Sequence, residues 1–149
     1  MKDFNYINIV LDIYRCSVLV LVAPDKESII KGYQTVFKKF KCTGNLEQDI
    51  DDIKEVLKND YAYKGTTFSF SCSPVDTCVL IYADNLMEVT YEIIVHELYH
   101  AMKRVCSTHG IEDEEAEAYM LEYLCNQFWD AQNNWKAKHP EYKKNKKKQ

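Results

Sequence analysis

His96, Glu97 and His100 fall within the pentapeptide His96-Glu97-Leu98-Tyr99-His100, an H-E-x-x-H pattern whose spacing suits a catalytic zinc ion. On an α-helix with 3.6 residues per turn, side chains four apart stand one above the other, so two imidazoles reach the same ion. Glu97 is turned by about 100° from His96. That is too far round for a comfortable ligand, yet near enough to take a proton from a water held on the ion. Such a set is suited to metal-assisted hydrolysis, with the carboxylate as general base.

The flanking residues must supply the helix. Glu88 to Val95 mixes strong helix formers with apolar residues, and Ala101 to Val105 continues without Pro or Gly. Ile94, Leu98, Ala101, Met102 and Val105 wrap most of the circumference, which predicts a largely buried helix. Burying two imidazoles and a carboxylate is costly unless their polar atoms are satisfied, and a metal satisfies them. The competing reading is a pair of core histidines held by ordinary hydrogen bonds.

A catalytic zinc typically has three protein ligands and one open position. The continuation H-E-x-x-H-x-x-G-x-x-H of metzincins fails here, because Lys103 and Cys106 occupy the required Gly and His positions. The chain instead breaks at Gly110, passes through an acidic turn from Glu112 to Glu117, and enters a long apolar-rich helix through Leu124. The first turns of that helix offer Glu114 and Glu115 as the remaining ligand. Its apolar stripe of Leu121, Leu124, Cys125 and Phe128 projects back toward Glu114 and Glu117.

The stretch from Ile93 through Leu124, with H-E-L-x-H-A followed after a Gly by acidic-Glu-Ala-x-Ala-Tyr, resembles the small zincin-like metallopeptidases of bacteria and their phages. The rest of the chain is similar only in the order of its elements. The resemblance implies a gluzincin arrangement, in which a Glu on a second helix, in an E-x-x-[AS]-x segment, is the third ligand. That pattern falls on Glu115, with Ala118 three residues later; Glu114 is the second choice. Tyr119 stands where many gluzincins carry an Asp that fixes the first histidine's tautomer, so that carboxylate must come from elsewhere or be absent.

The same resemblance implies a zinc-dependent peptidase. His96, His100 and Glu115 would be its ligands, Glu97 its catalytic base, and a protein or peptide its substrate. Related small zincins include ones that cut a single repressor partner, which implies narrow specificity. Tyr119, Tyr123 and His109 are the candidates for a further donor to the developing oxyanion. A second reading is a non-catalytic domain in which zinc contributes folding energy and the cleft only holds a peptide. Glu97 discriminates, since a binding module has no need of a base beside His96. A metal-free helical interaction protein is the third class.

At 149 residues the chain has room for one domain with a sizeable core. From Lys136 onward there are seven Lys and one Glu, a balance of +6, so residues 1–135 hold −10 of the overall −4. The expected division is a zincin-like domain over 1–135 and a basic, disordered tail over 136–149. An acidic body argues against nucleic-acid binding by the domain, leaving only a weak electrostatic role for the tail. The six cysteines, at positions 16, 42, 72, 78, 106 and 125, are scattered through predicted elements and read as reduced. A structural zinc site built from Cys72, Cys78, Cys106 and His109 is a lesser alternative. The longest apolar run, Ser17 to Ala23, is far too short to span a membrane, and Asp3 and Asp12 spoil it as a signal peptide. A cytoplasmic protein is therefore expected.

Periodicity predicts strand 13–23, helix 26–41 beginning at an Asp25 cap, helix 46–58, strand 66–72, a turn over 73–77 and strand 78–83. The metal helix and the ligand helix come after them. The order predicts an α+β fold, a minimal zincin-like arrangement with a small mixed sheet packed on the active-site helix and a C-terminal ligand helix. In it, the strand over Cys78 to Ala83 is expected to line the cleft and to pair with an extended peptide.

Overall fold

Residues 16–23 alternate Val with Leu and have no polar face, so the segment is stable only where both sides are covered. A computed structural model, which describes residues 3–58, 65–69 and 75–142, places it accordingly. Strand β2 (Cys16–Ala23) is buried along its whole length and lies inside a four-stranded mixed sheet. Strand β1 (Asn5–Leu11) pairs antiparallel with one edge of β2, and β4 (Val75–Tyr82) pairs parallel with the other. Strand β3 (Gly65–Ser69) runs antiparallel to β4, giving the order β1-β2-β4-β3.

Helices cover both faces. Val18, Val20 and Val22 point into a core shared with α3 (Tyr91–Thr108) and α4 (Glu114–Lys138). Leu19, Leu21 and Ala23 point the other way, against α1 (Lys26–Lys39) and α2 (Leu46–Lys58). Each fully buried Val or Leu contributes about 1.5–3 kcal/mol relative to exposure, so β2 anchors both layers. Asp25 caps α1 by accepting from the Ser28 amide at 2.8 Å. Between α3 and α4 the chain turns at Gly110, φ 68°, where the Ile111 amide reaches back to the Cys106 carbonyl at 2.8 Å. A Cβ would be strained there, which is why Gly closes the helix.

The α+β class and the small mixed sheet packed on the H-E-x-x-H helix match expectation; several details do not. Residues 5–11 form a strand where periodicity assigns none, and residues 12–14 form a 3-10 turn rather than the start of β2. Val75 to Thr77 belong to β4 and not to a turn. Strand β4 is flanked by β2 and β3, so it has no edge to offer a peptide; β3 is the outer strand beside α3. Cys78 packs with the α1 and α2 layer while Cys106 packs with the α3 and α4 layer, so the sheet lies between them and they cannot share an ion. Cys72, the end of the expected strand 66–72 and residues 143–149 of the basic tail lie outside the described residues. The helix continues beyond Trp135, whose ring stacks on His139 at 4.0 Å.

Candidate metal centre

Helix α3 begins at a Thr90 cap, whose hydroxyl accepts from the Ile93 amide, and carries Glu92 in its first turn. Its entrance is fixed by α4, where Gln132 donates to the carbonyls of Leu86 (2.8 Å) and Val89 (3.3 Å) and Trp129 meets Tyr91 edge-on. Ile94, Leu98, Ala101, Met102 and Val105 enter the core as expected. The histidines do not: His96 and His100 lie on the exposed face, and Glu97 is the buried member of the motif. The reason is the 100° step between neighbours on a helix, which puts Glu97 over the sheet when His96 points to solvent.

The His96 and His100 Nε2 atoms are 3.2 Å apart. Zinc–nitrogen bonds of about 2.0–2.1 Å at a tetrahedral angle place two coordinating nitrogens about 3.3–3.4 Å apart. The pair therefore has the bite of a zinc site. Without metal one ring donates to the other. Ligation needs both Nε2 atoms unprotonated, so one proton must leave or move to Nδ1.

Glu97 is held from β3. The Thr67 hydroxyl lies 2.5 Å from Glu97 Oε2 and 3.1 Å from the Glu97 carbonyl oxygen, all of it buried. Oε1 is the freer oxygen and stands 4.0 Å from His96 Nε2, with the Glu97 side chain 9% exposed against 65% for His96. Gly65 makes this approach possible. A Cβ there would stand 3.1 Å from Glu97 Cγ and 3.3 Å from Ile93 Cγ2.

Of the acidic residues opening α4, Glu114 and Glu115 are exposed, and the Asp113 side chain caps the Glu115 amide at 3.1 Å. Glu117 alone engages α3, through Lys103 Nζ at 3.1 Å from each carboxylate oxygen. That contact holds the Lys103 ammonium above the usual lysine range, and burial raises the Cys106 thiol beside it. Among the described residues no third His, Cys, Asp or Glu joins His96 and His100 in a metal-sized group. Glu115 is thus not brought to the histidines.

The expected oxyanion donors lie elsewhere. His109 caps the far end of α3, its ring nitrogens 2.9 Å from the Val105 carbonyl and 3.2 Å from that of Tyr14. Tyr123 donates to the Val10 carbonyl at 3.0 Å, and Tyr119 joins it in an apolar groove of about 400 Å³ against residues 10–14. Tyr99, between the two motif histidines on the chain, has its ring 6.1 Å from that of His100. Thr67, Gly65 and the Lys103–Glu117 pair escape sequence reasoning, since each depends on which strand or helix docks against α3.

No family model matches the chain, and searches of curated proteins and of solved structures returned no match. No helix among the described residues is long and apolar enough to cross a membrane.

Proposed function

We propose that the chain is a zinc-dependent peptidase of narrow specificity with a zincin-like fold of gluzincin type. The observation that carries this reading is the buried Glu97, anchored through one oxygen and presenting the other toward His96, whose ring nitrogen stands at zinc-like spacing from that of His100. His96 and His100 would hold the ion; Glu115, the third ligand on the sequence pattern, stands outside this pair in the structure and would have to move to join it. A zinc ion there supplies a Lewis acid that makes water nucleophilic near neutral pH. Glu97 Oε1 takes the proton from the attacking water and passes it to the leaving amine. Thr67 keeps Oε2 occupied, so the carboxylate cannot turn away. The outer edge of β3 lies beside this base, and an extended peptide pairing with it would bring a carbonyl to the histidines.

Metal analysis and trapping test the reading together. Wild type should bind one zinc per chain, His96→Ala and His100→Ala should lose it, and Glu97→Gln should keep it. Partners captured by Glu97→Gln should be cleaved when exposed to zinc-loaded wild type. If they emerge intact, the protein is a zinc-stabilised binding domain; if Glu97→Gln loses zinc while His96→Ala retains it, the ligand assignment fails.

A further inference from the structure

Val10, Ile13, Tyr119 and Tyr123 are exposed apolar side chains, and they line one groove. On α4, Ala116, Tyr119, Met120 and Tyr123 follow the i, i+3, i+4, i+7 spacing that makes a single stripe. This stripe faces residues 10–14 across the groove of about 400 Å³. Ile13, in the 3-10 turn, is 88% exposed and Tyr119 67%. Exposed apolar side chains gathered in one cleft, rather than scattered singly, mark a docking surface. The walls are fixed in advance. His109 reaches the Tyr14 carbonyl at 3.2 Å and its ring lies 5.1 Å from that of Tyr14, which ties the turn to the end of α3. Tyr123 donates to the Val10 carbonyl, which ties α4 to the outer strand β1. A peptide pairing with β1 as an added strand would have to displace that hydroxyl, whereas side chains dropping into the groove would not.

Charge decides the kind of partner. Among the described residues, Asp12 is the one charged group lining the groove. Glu115 and Glu122, four residues before and three after Tyr119, are exposed on its flank of α4, and Glu112, Asp113 and Glu114 stand exposed at the start of the same helix. Arg15, next after Tyr14, is not among the lining residues. We propose that this groove docks an amphipathic helix of another protein, with large apolar side chains at helical spacing and Lys or Arg flanking them. A second copy fits poorly, since a two-fold contact sets acidic rim against acidic rim. The chain's own 143–149 has the charge but no apolar residue to fill the groove. The groove adjoins the β1 edge of the sheet while Thr67 and Glu97 meet at the β3 edge, so this surface is separate from the H-E-x-x-H motif.

The probe is a synthetic, fluorescein-labelled helical peptide of about four turns, with Leu at that spacing and Lys on the flanks. It is titrated with the full chain without added metal and read by anisotropy, beside a peptide of the same Leu pattern with Glu in place of Lys. The Lys peptide should bind more than about tenfold more tightly at about 50 mM salt, and the gap should shrink at about 500 mM as screening takes over. Ile13→Ser and Tyr119→Ser, at exposed positions where stability changes little, should each weaken the Lys peptide by more than about fivefold. Glu122→Gln should narrow its lead over the Glu peptide. Circular dichroism checks that each variant is folded. Equal binding of the two peptides, no binding of either, or binding untouched by Ile13→Ser and Tyr119→Ser would overturn the assignment. So would self-association in sedimentation velocity: if Ile13→Ser abolishes it, the groove belongs to a second copy, and if removal of residues 143–149 abolishes it, to the tail of a neighbouring chain.

Discussion

The two oxygens of Glu97 have different surroundings. Oε2 accepts from Thr67 in a buried setting, while Oε1 looks toward His96. Replacing Thr67 by Val keeps the shape of the side chain but leaves a buried carboxylate oxygen without its donor, at a cost of about 1–3 kcal/mol. Thr67→Val should therefore lower the melting temperature and depress hydrolysis without changing zinc content, whereas Thr67→Ser should restore both. Equal losses in the two variants would mean that packing of the Thr methyl, and not the hydrogen bond, matters.

At this scale His96, Glu97 and His100 are readable from the chain, because an i, i+4 pair is fixed by helix geometry alone. Their burial is not. Leu98 and Ala101 make the helix look covered all round, but one face stays open, and only the sheet on the other side determines which face that is. The third ligand is harder still. Glu114, Glu115 and Glu117 lie within a single helical turn, and small rotations of α4 choose between them.

Among the elements, β3 works as a clamp on α3 through the absent side chain of Gly65. Gly65→Val should push strand and helix apart, because the added Cβ alone would meet Glu97 Cγ at 3.1 Å. A lower melting temperature and reduced activity with unchanged zinc content are expected, with Gly65→Ala milder than Gly65→Val. Zinc loss in parallel with stability would show that the ion depends on the clamp.

On the opposite layer, Tyr33 donates to Asp49 at 2.7 Å, yet burial outweighs that bond and raises the Asp49 carboxyl above its usual range. A raised folded-state value favours the protonated form, so its stabilising contribution is present below the unfolded pKa of about 3.9 and lost as pH rises through the folded value. Asp49→Asn retains an acceptor for Tyr33 and should melt higher than wild type at pH 7. The gap should close as the pH falls to about 4. A gap independent of pH would contradict this cause.

The helices around these contacts are legible from capping and spacing, with α2 falling on the residues expected. Strand β1 is not, since Asn5 and Asn8 interrupt the apolar alternation that marks a strand. Strand β4 looks like an edge because it precedes the metal helix. Its parallel pairing with β2 is a long-range contact that no local pattern announces.

For the molecule as a whole, the end of α4 matters more than its basic composition suggests. Trp135 packs against the core of the α3 and α4 layer and is covered by His139 and Tyr142. A chain ending at Tyr142 should melt like the full-length protein and bind zinc equally. One ending at Asn134 should melt several degrees lower, losing a large apolar contact. Identical melting of the two would show that this cluster adds nothing.

The parallel pairing of β2 with β4, with Val18 set against Thr77, also governs the order in which the centre forms. Its closure must bring together segments separated by α1, α2 and β3, so it has a high contact order and forms slowly. The two imidazoles meet as soon as one helix forms, on a far shorter timescale. Thr67 and Glu97, 30 residues apart, meet only after the sheet has closed. A refolding chain thus brings the two imidazoles together before Glu97 meets Thr67, an order set by topology.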